Sequence, residues 1–257
     1  MSAKKNNEER PQPSSGILLT MFSALLLIYF IMRFVLADRF GVRNGLLVMP
    51  LTVALVVFTF ILQINSNVKL SISHCGESQM GPVVGYTVMS NVMYMGILIL
   101  LLFFFPGFKS PFSNTFGYMV VALQAKSAMN KVLIPMGDNT NSLLKEVYQD
   151  KSSFINLLTP NKEGFDGVLE KIAGNGNMLR SDWDSNKGKL WNLVVIKDYI
   201  GTACWLVLGM ALTISSTFNS ILGIENCINS DKYRDKAAGR VKDELRKAKE
   251  MKKRGLK

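Results

Sequence analysis

The chain has 257 residues, of which 48% are hydrophobic, with a mean hydropathy of +0.19 and a formal charge of +11. A soluble domain of this length interrupts its apolar runs with polar residues, whereas here the apolar residues form four long blocks. This pattern excludes an ordinary soluble globular domain. It predicts an all-α membrane protein with four transmembrane helices and a small, mostly helical polar segment between helices 3 and 4.

The first two blocks follow a short N-terminal tail. Residues 1–15 are polar and are predicted to form a disordered tail. Residues 16–37 are predicted to form the first transmembrane helix, because this 22-residue block exceeds the hydrophobic region of a signal peptide. Arg33, near the end of this helix, can extend to the interface, with a buried functional charge as the alternative. Residues 45–64 are predicted to form the second helix, antiparallel to the first, and residues 65–83 a polar loop.

The third predicted helix, residues 84–105, contains no acidic or basic side chain over its 22 residues. At about 1.5 Å per residue it reaches roughly 33 Å, enough to cross a hydrocarbon core of about 30 Å. Four polar side chains recur on it at helical spacing and therefore share one face. This face is predicted to hydrogen-bond to neighbouring helices, with a polar pore lining as the alternative. The four residues are Thr87, Ser90, Asn91 and Tyr94.

An aromatic segment follows the third helix and is predicted to form a turn at the membrane surface. Proline stops the helix, glycine allows a sharp turn, and aromatic rings with one polar edge favour the headgroup level. The residues assigned to this turn are Pro106, Gly107, Phe108, Lys109, Pro111, Phe112, Phe116 and Tyr118.

Residues 106–199, which begin with this turn, are predicted to form the polar and mostly helical segment. Within it, residues 119–134 are too polar to span, so they are expected to lie along the membrane or to pack on the helices. Residues 109–198 hold 11 basic and 9 acidic residues, which predicts a nearly neutral surface suited to docking. Residues 200–222 are predicted to form the fourth transmembrane helix, with small residues that allow neighbours to approach closely.

Residues 223–257 are predicted to form a basic helical tail. From residue 228 onward the tail holds 12 basic and 5 acidic residues, so it carries +7 of the net charge. Such a cluster is typical of topology signals and also suits an acidic partner protein, anionic lipid or nucleic acid. The residues assigned to it are Arg240, Lys242, Arg246, Lys247, Lys249, Lys252, Lys253 and Arg254.

Four spans place both termini on the same side of the membrane, and the basic residues predict which side. The terminal tails and the polar loop hold 16 basic residues, against 2 in the short loop between the first two helices. The positive-inside rule therefore predicts cytosol-facing termini.

The sequence carries no catalytic, phosphate-binding or paired-cysteine motif. His74 lies beside Cys75, but two adjacent residues fall short of the usual four-ligand metal pattern. The three cysteines predict no disulfide framework. We therefore expect a protein that is not an enzyme and that binds no metal or cofactor.

Several short motifs occur in a recognisable order. They are FFFPGFKSPFSNTFGY at residues 103–118, the group Cys75–Gly76, Gly81–Pro82 and Tyr86 before it, FINLLTP at residues 154–160, and Lys197–Asp198 before the last helix. Over residues 45–225 the chain resembles multi-pass inner-membrane or minor capsid proteins of nucleocytoplasmic large DNA viruses, of phycodnavirus or mimivirus type.

This resemblance implies a structural virion component in the internal membrane of the particle, with the lipid bilayer and the major and minor capsid proteins as partners. It also implies that the protein links the internal membrane to the capsid. A viral or cellular channel or small transporter, resting on the polar face of the third helix, is the alternative. A homo-oligomer is compatible with either function.

Overall fold

The structure, a computed structural model, describes residues 15–38, 45–75, 78–136, 142–174, 178–224 and 246. The described part is all-α, and four of its helices are long and apolar enough to span a membrane, which confirms the predicted fold class. In chain order the helices are α1 (Ser15–Arg33), α2 (Gly45–Cys75), α3 (Met80–Phe104), α4 (Tyr118–Val132), α5 (Ser142–Gln149), α6 (Lys151–Leu157), α7 (Lys162–Gly174), α8 (Trp183–Asn186) and α9 (Gly188–Leu222). A π-helical turn, Phe34–Asp38, extends α1, and α3 contains a π-helical stretch at Asn91–Gly96.

The spanning helix α9 is the centre of the fold, because it packs against α1, α2, α3 and α4. Its apolar side chains Met210 and Ile214 share a buried cluster with Phe22, Leu26 and Phe30 of α1. Since lipid tails are as apolar as these side chains, close van der Waals packing is what holds such helices together in a membrane.

Two glycines of α9 mark close contacts with neighbouring segments. A Cβ atom added at Gly209 would lie 2.5 Å from Leu98 Cδ2 on α3. One added at Gly201 would lie 2.7 Å from the backbone nitrogen of Ser113. The small residues of the fourth span therefore admit the backbone or side chains of neighbours at these two points.

The polar loop predicted at residues 65–83 is wrong, because α2 continues to Cys75 and α3 already begins at Met80. Two polar side chains in this stretch, Asn67 and Ser71, point inward and find partners, whereas Lys69, Ser73 and His74 are exposed. Ser71, for example, is fully buried and accepts a hydrogen bond from the backbone N–H of Gln79 at 3.1 Å. The polarity of Asn67 and Ser71 therefore reflects hydrogen-bonded burial inside the bundle, which a hydropathy pattern cannot distinguish from a loop.

Cys75, the last residue of α2, is 2% exposed and disulfide-bonded. The expectation that the cysteines form no disulfide is therefore wrong, whereas Cys204 in α9 is a free thiol. A disulfide is typical of an oxidising compartment. It lies at the same end of the bundle that the charge count assigns to the cytosol, so the two arguments favour opposite orientations.

The fourth span is part of a longer helix than predicted. α9 is one unbroken helix of 35 residues, so the boundary placed between residues 199 and 200 does not exist as a helix end. At about 1.5 Å per residue α9 reaches roughly 52 Å, more than a hydrocarbon core of about 30 Å requires. In its first turns, Leu190, Leu193 and Val194 are buried against the polar segment, so protein side chains and not lipid cover these apolar residues.

The polar segment packs around those first turns of α9 and has an apolar core of its own. Met129, Ile155, Phe165 and Leu169 come from α4, α6 and α7 and are each at most 1% exposed. We call residues 118–199 the surface module. The module and the membrane bundle are joined by α9, which belongs to both.

Helix α4 runs antiparallel to α9. Gly117, just before α4, lies against Lys197, and near the other end Lys189 Nζ donates to Ser127 Oγ at 2.9 Å. Residues 119–134 were expected either to lie along the membrane or to pack on the helices, and the structure shows α4 packed on α9. Because α9 extends beyond the bundle at its N-terminal end, α4 leads away from the bundle.

The predicted membrane-surface turn is shorter and more regular than expected. Pro106–Lys109 forms one 3-10 turn, and helical structure resumes at Ser110 and continues through the π-helical Ser113–Gly117 into α4. The steric role given to Gly107 is wrong, since open space surrounds its position and its φ is not positive. The turn therefore depends on the proline and on side-chain anchoring.

Candidate functional site

The polar face predicted on α3 meets polar residues of α2. Thr87 is fully buried and accepts a hydrogen bond from Asn67 Nδ2 at 2.8 Å. Asn91 Nδ2 donates to Gln63 Oε1 at 2.5 Å. Because each amide bonds to a side chain of the facing helix, these contacts link α2 to α3.

The other two residues of that predicted face differ from each other. Ser90 is buried, and its hydroxyl donates to Ser216 Oγ of α9 at 3.4 Å. Tyr94 is 40% exposed and lies on the outside of the bundle. A cavity beside Gln63 has a volume of about 10 Å³, the space of about one water molecule.

The predicted membrane-surface residues are anchored on α9. The ring of Phe108 stacks on Trp205 at 4.5 Å, and Trp205 Nε1–H donates to the Phe108 carbonyl at 2.9 Å. Phe112 meets the same indole edge-on at 4.7 Å. Lys109 Nζ lies 3.1 Å from an Asp198 carboxylate oxygen, and both side chains are largely buried. One aromatic cluster and one ion pair thus fix this segment.

The side chain at the centre of the junction is Lys197, which is 3% exposed. Its ammonium donates to Asn114 Oδ1 at 3.1 Å, to Asn156 Oδ1 at 3.0 Å and to the Ile155 carbonyl at 3.2 Å. These three acceptors are neutral, while the neighbouring Asp198 carboxylate pairs with Lys109. An ammonium has three donors, so this cage satisfies all of them. Burying a charge is costly without such partners, and the site is therefore built for this one side chain.

The Lys197 cage joins three motifs that are far apart in the chain. Asn114 belongs to the aromatic segment after α3, Asn156 to FINLLTP, and Lys197 to the pair before the last span. All three motifs are visible in the sequence, but nothing in the sequence indicates that they lie next to one another in the fold. We call Asn114, Asn156 and Lys197 the lysine junction.

Gly117 completes the lysine junction. A Cβ atom at this position would collide with the Lys197 carbonyl and would lie 2.9 Å from Lys197 Cγ. The π-helical turn before α4 therefore lies directly against α9, and only glycine permits this approach.

A second ion-pair cluster lies farther out in the surface module. Lys187 Nζ is 2.7 Å from Asp166 on α7 and 2.7 Å from Asp184 on α8. Burial acts to lower the pKa of Lys187, but hydrogen bonds to the two carboxylates more than offset it, so the pKa is raised. This lysine thus holds α7 and α8 together just before α9 begins.

Asp150 caps the N-terminus of α6. Its carboxylate accepts hydrogen bonds from the Ser152 and Ser153 hydroxyls, both at 2.6 Å, and from the Ser153 backbone N–H at 3.0 Å. These bonds favour the charged form and lower the pKa of Asp150 to about 2. The cap positions the helix that supplies Asn156.

The outer face of α4 carries an uncovered row of large apolar side chains. These side chains are at least half exposed and recur at helical spacing. Leu123 is the extreme case, at 94%. We call the row the apolar stripe; it consists of Phe116, Met119, Val120 and Leu123.

The remaining predicted residues have varied surroundings. Pro106 and Pro111 are exposed, and Tyr118 packs against the module core, where burial and then the Asp150 charge raise its pKa. Of the basic tail residues only Arg246 is described, and it is exposed; the other seven lie outside the described residues. Within the described ranges no group of three or more His, Cys, Asp or Glu side chains is placed to hold a metal.

Comparison with family models, with curated proteins and with solved structures finds no match to this chain.

Proposed function

We propose that the chain is a non-enzymatic structural membrane protein that fixes the surface module to an internal viral membrane for docking to a capsid protein. The observation that carries this proposal is the pairing of a rigid junction with an uncovered apolar stripe. The sequence resemblance to inner-membrane and minor capsid proteins supplies the viral context. The internal membrane of the virion is the proposed location.

The height of the apolar stripe above the membrane supports a protein partner. Residues 200–222 of α9 reach about 34 Å, enough to fill the hydrocarbon core. Lys197 lies about 4 to 5 Å beyond Ile200, and Leu123 lies about 9 Å beyond Gly117, which is level with Lys197. Leu123 is therefore about 14 Å outside the hydrocarbon, past a headgroup layer of roughly 5 to 8 Å. Lipid does not cover it there.

The chemistry of the surface module supports docking through shape and apolar contact. Residues 109–198 carry nearly balanced charge, with 11 basic and 9 acidic residues. Large apolar side chains outside a membrane favour a protein partner, because uncovered apolar area is costly in water. The stripe would form the centre of the contact and the balanced polar surface its rim.

The channel alternative has weaker support. It is based on the buried polar face of α3, but Thr87 and Asn91 of this face are hydrogen-bonded to side chains of α2. The small cavity that Gln63 lines lies between α1, α2 and α9, with no α3 residue in its wall, and it has the volume of about one water molecule. Such a network fits helix–helix contact better than conduction.

Photo-cross-linking in intact particles tests the proposal. A photoreactive residue at Leu123 is expected to capture a capsid protein, while the same residue at Phe104 is expected to capture lipid. Phe104 is a matched control because it is 65% exposed at the end of a spanning helix. Capture of only lipid or of further copies of the chain at Leu123 would contradict the docking function.

A charge variant tests the same surface in solution. Leu123→Glu is expected to abolish co-purification with capsid protein after detergent extraction, because it places a carboxylate in an apolar contact. Gln124→Glu adds the same charge at the neighbouring exposed position and is expected to have little effect. Equal loss in both variants would indicate a general charge effect.

The basic tail is proposed to add a salt-sensitive contact with an acidic surface of the capsid protein. At 0.15 M salt its field extends only about 8 Å. Truncation after residue 230 is therefore expected to weaken capsid association at low salt and to change it little at high salt.

A further inference from the structure

Helix α6 ends at the lysine junction, and it contains the first part of the FINLLTP motif. The Lys197 ammonium donates to the Ile155 carbonyl at 3.2 Å and to Asn156 Oδ1 at 3.0 Å. These two bonds fix the C-terminal end of α6 against α9. The next residue, Leu157, takes no part in the junction, and its surroundings are not explained by the contacts described so far.

The segment that precedes α4 sets the level of this contact along α9. It runs antiparallel to α9, because Ser113 lies against Gly201 and Gly117 lies against Lys197. Gly201 and Lys197 are about 6 Å apart along the helix axis. Asn114, the residue after Ser113, also accepts a hydrogen bond from the Lys197 ammonium, at 3.1 Å. The ammonium is therefore bonded to a residue that is level with the start of the predicted span at residue 200.

This level is the headgroup level of the membrane. With residues 200–222 in the hydrocarbon core, the lysine junction lies within about 5 Å of the edge of that core. The polar layer on each side of the core is roughly 5 to 8 Å thick. Leu157 follows Asn156 directly, at a Cα–Cα distance of about 3.8 Å, so it begins within this layer.

Leu157 is an uncovered apolar side chain at that level. Phe154 and Ile155 of the same helix are 3% and 0% exposed and belong to the core of the surface module, whereas Leu157 is 67% exposed. Phe116, next to Gly117 and at the same level, is 50% exposed. A protein that spans the bilayer is surrounded by lipid at headgroup height, so apolar side chains exposed there contact lipid.

We propose that Leu157 inserts into the boundary between headgroups and acyl chains and thereby seats the surface module on the membrane. Apolar side chains of helices at the membrane surface are buried in this boundary, which removes their apolar area from water. The contact does not require an anionic lipid, because the Lys197 ammonium is already satisfied by three neutral acceptors. The proposal is independent of docking to a capsid protein, which depends on Leu123.

Spin labelling of the full-length chain in phosphatidylcholine vesicles measures the depth of Leu157. A nitroxide is attached to a cysteine in place of Leu157, Leu123 or Leu100, each in a Cys204→Ala chain, and the signal of the Cys204→Ala parent is subtracted. Power saturation then compares collisions with oxygen, which concentrates in lipid, and with a nickel complex, which stays in water. Leu100, 56% exposed on α3, gives the lipid limit, and the free label in buffer gives the water limit.

The label at Leu157 is expected to give an oxygen-to-nickel ratio between the two limits. A ratio at the water limit would overturn the proposal. Low access to both reagents, together with spin–spin broadening that disappears on dilution with unlabelled chain, would assign Leu157 to a contact with a second copy and would also overturn it. Leu123 is read separately, because a ratio at the lipid limit there would contradict the docking function and would leave the result for Leu157 unchanged.

A phosphatidylcholine with a photoreactive group near the carboxyl end of one acyl chain gives a second measurement on the wild-type chain. Adducts are expected on the tryptic peptide of residues 152–162, which contains Leu157. Leu157→Ser is expected to lose most of these adducts, while Leu143→Ser, at a position of α5 that is 52% exposed, is expected to retain them. Thermal unfolding of both variants is compared with the wild type first. Absence of adducts from this peptide in the wild type, or equal labelling in Leu157→Ser, would overturn the proposal.

Discussion

The membrane bundle and the lysine junction both use polar side chains to join helices, but they do so in different ways. Between α2 and α3, neutral side chains pair locally, as Asn67 does with Thr87 and Asn91 with Gln63. At the lysine junction, the single charge of Lys197 is shared among acceptors from two distant segments. The first arrangement divides its stabilisation over several weak bonds, and the second concentrates it on one residue.

This difference has an energetic consequence. A hydrogen bond between membrane helices contributes about 0.6 kcal/mol on average, because the separated helices also find partners. A buried charge that loses a partner costs several kcal/mol, since its desolvation is no longer offset. The bundle should therefore tolerate substitutions that the junction does not.

The orientation of the molecule in the membrane decides which compartment the lysine junction faces. A labelling experiment on sealed vesicles gives one of two distinct results for this orientation. A cysteine added in place of Ser14 or of Ser230, in a Cys204→Ala chain, is expected to react with an impermeant maleimide above the background of the Cys204→Ala parent, and from the same side of sealed vesicles in both cases. Reaction from the cytosolic side would support the charge count, and reaction from the opposite side would agree with the Cys75 disulfide. Labelling of the two positions from opposite sides would contradict four spans.

Asn156→Leu is expected to have the largest effect on stability. It leaves the buried Lys197 ammonium with one acceptor fewer, so the free energy of unfolding should fall by about 3 kcal/mol. Thermal unfolding in detergent and proteolysis of α5–α7 measure the loss. Asn130→Leu, at an exposed position within α4, is the matched control. Similar losses in both variants would remove the special role of the lysine junction.

Gly201→Ala tests the close contact beside the junction. The added Cβ would lie 2.7 Å from the Ser113 backbone nitrogen, so the two segments must separate, at a cost of about 1 to 3 kcal/mol. Gly188→Ala in the same helix meets open space and is expected to be neutral or slightly stabilising. The difference in melting temperature between these two variants is the measurement.

Asn91→Leu is expected to have a smaller effect, because it removes one contact of the bundle. A loss of about 0.6 kcal/mol is predicted, with ion flux in vesicles at background before and after the change. Met89→Leu, at a position that is 62% exposed, controls for substitution on the lipid side of α3. A selective conductance in the wild type that Asn91→Leu abolishes would favour the channel alternative.

The smallest effect is the pH dependence of the α6 cap. The folded pKa of Asp150, about 2, is below the ordinary value of 3.8 for this side chain, so its stabilising contribution is complete above pH 3.8 and is lost as the pH falls through about 2. The protection factor of the Ser153 amide, which compares its exchange rate with that of an unprotected amide at the same pH, is expected to fall over this interval. Asp150→Ala should have a low protection factor at every pH, and high protection in that variant would exclude the cap as the cause.

Much of the membrane bundle could be predicted from the sequence, because hydrophobic length is a local property. The charge-free stretch before Phe105 required a span, and Pro106 correctly marked its end. The helical ends were less predictable. Ser71 and Asn67 looked like loop residues, since the sequence does not tell whether a polar side chain faces water or a partner on another helix.

The candidate site likewise contains residues that the sequence predicted and residues that it could not predict. Thr87, Ser90 and Asn91 were predicted to share a face because the helical period is fixed, and the structure places all three among polar neighbours. Tyr94 fits the same period but lies outside, because the orientation of α3 about its axis depends on α2 and α9. The lysine junction could not be predicted, since Asn114 and Lys197 are 83 residues apart.

The sequence by itself determined the four spans, the aromatic segment after α3 and the near-neutral charge of the surface module, because these depend on composition and on spacing within one segment. Tertiary structure alone decided that α9 continues into the module, that α4 leads away from the bundle and that Lys197 is buried. These features depend on contacts between segments far apart in the chain, and the same local sequence is compatible with several such arrangements until packing selects one.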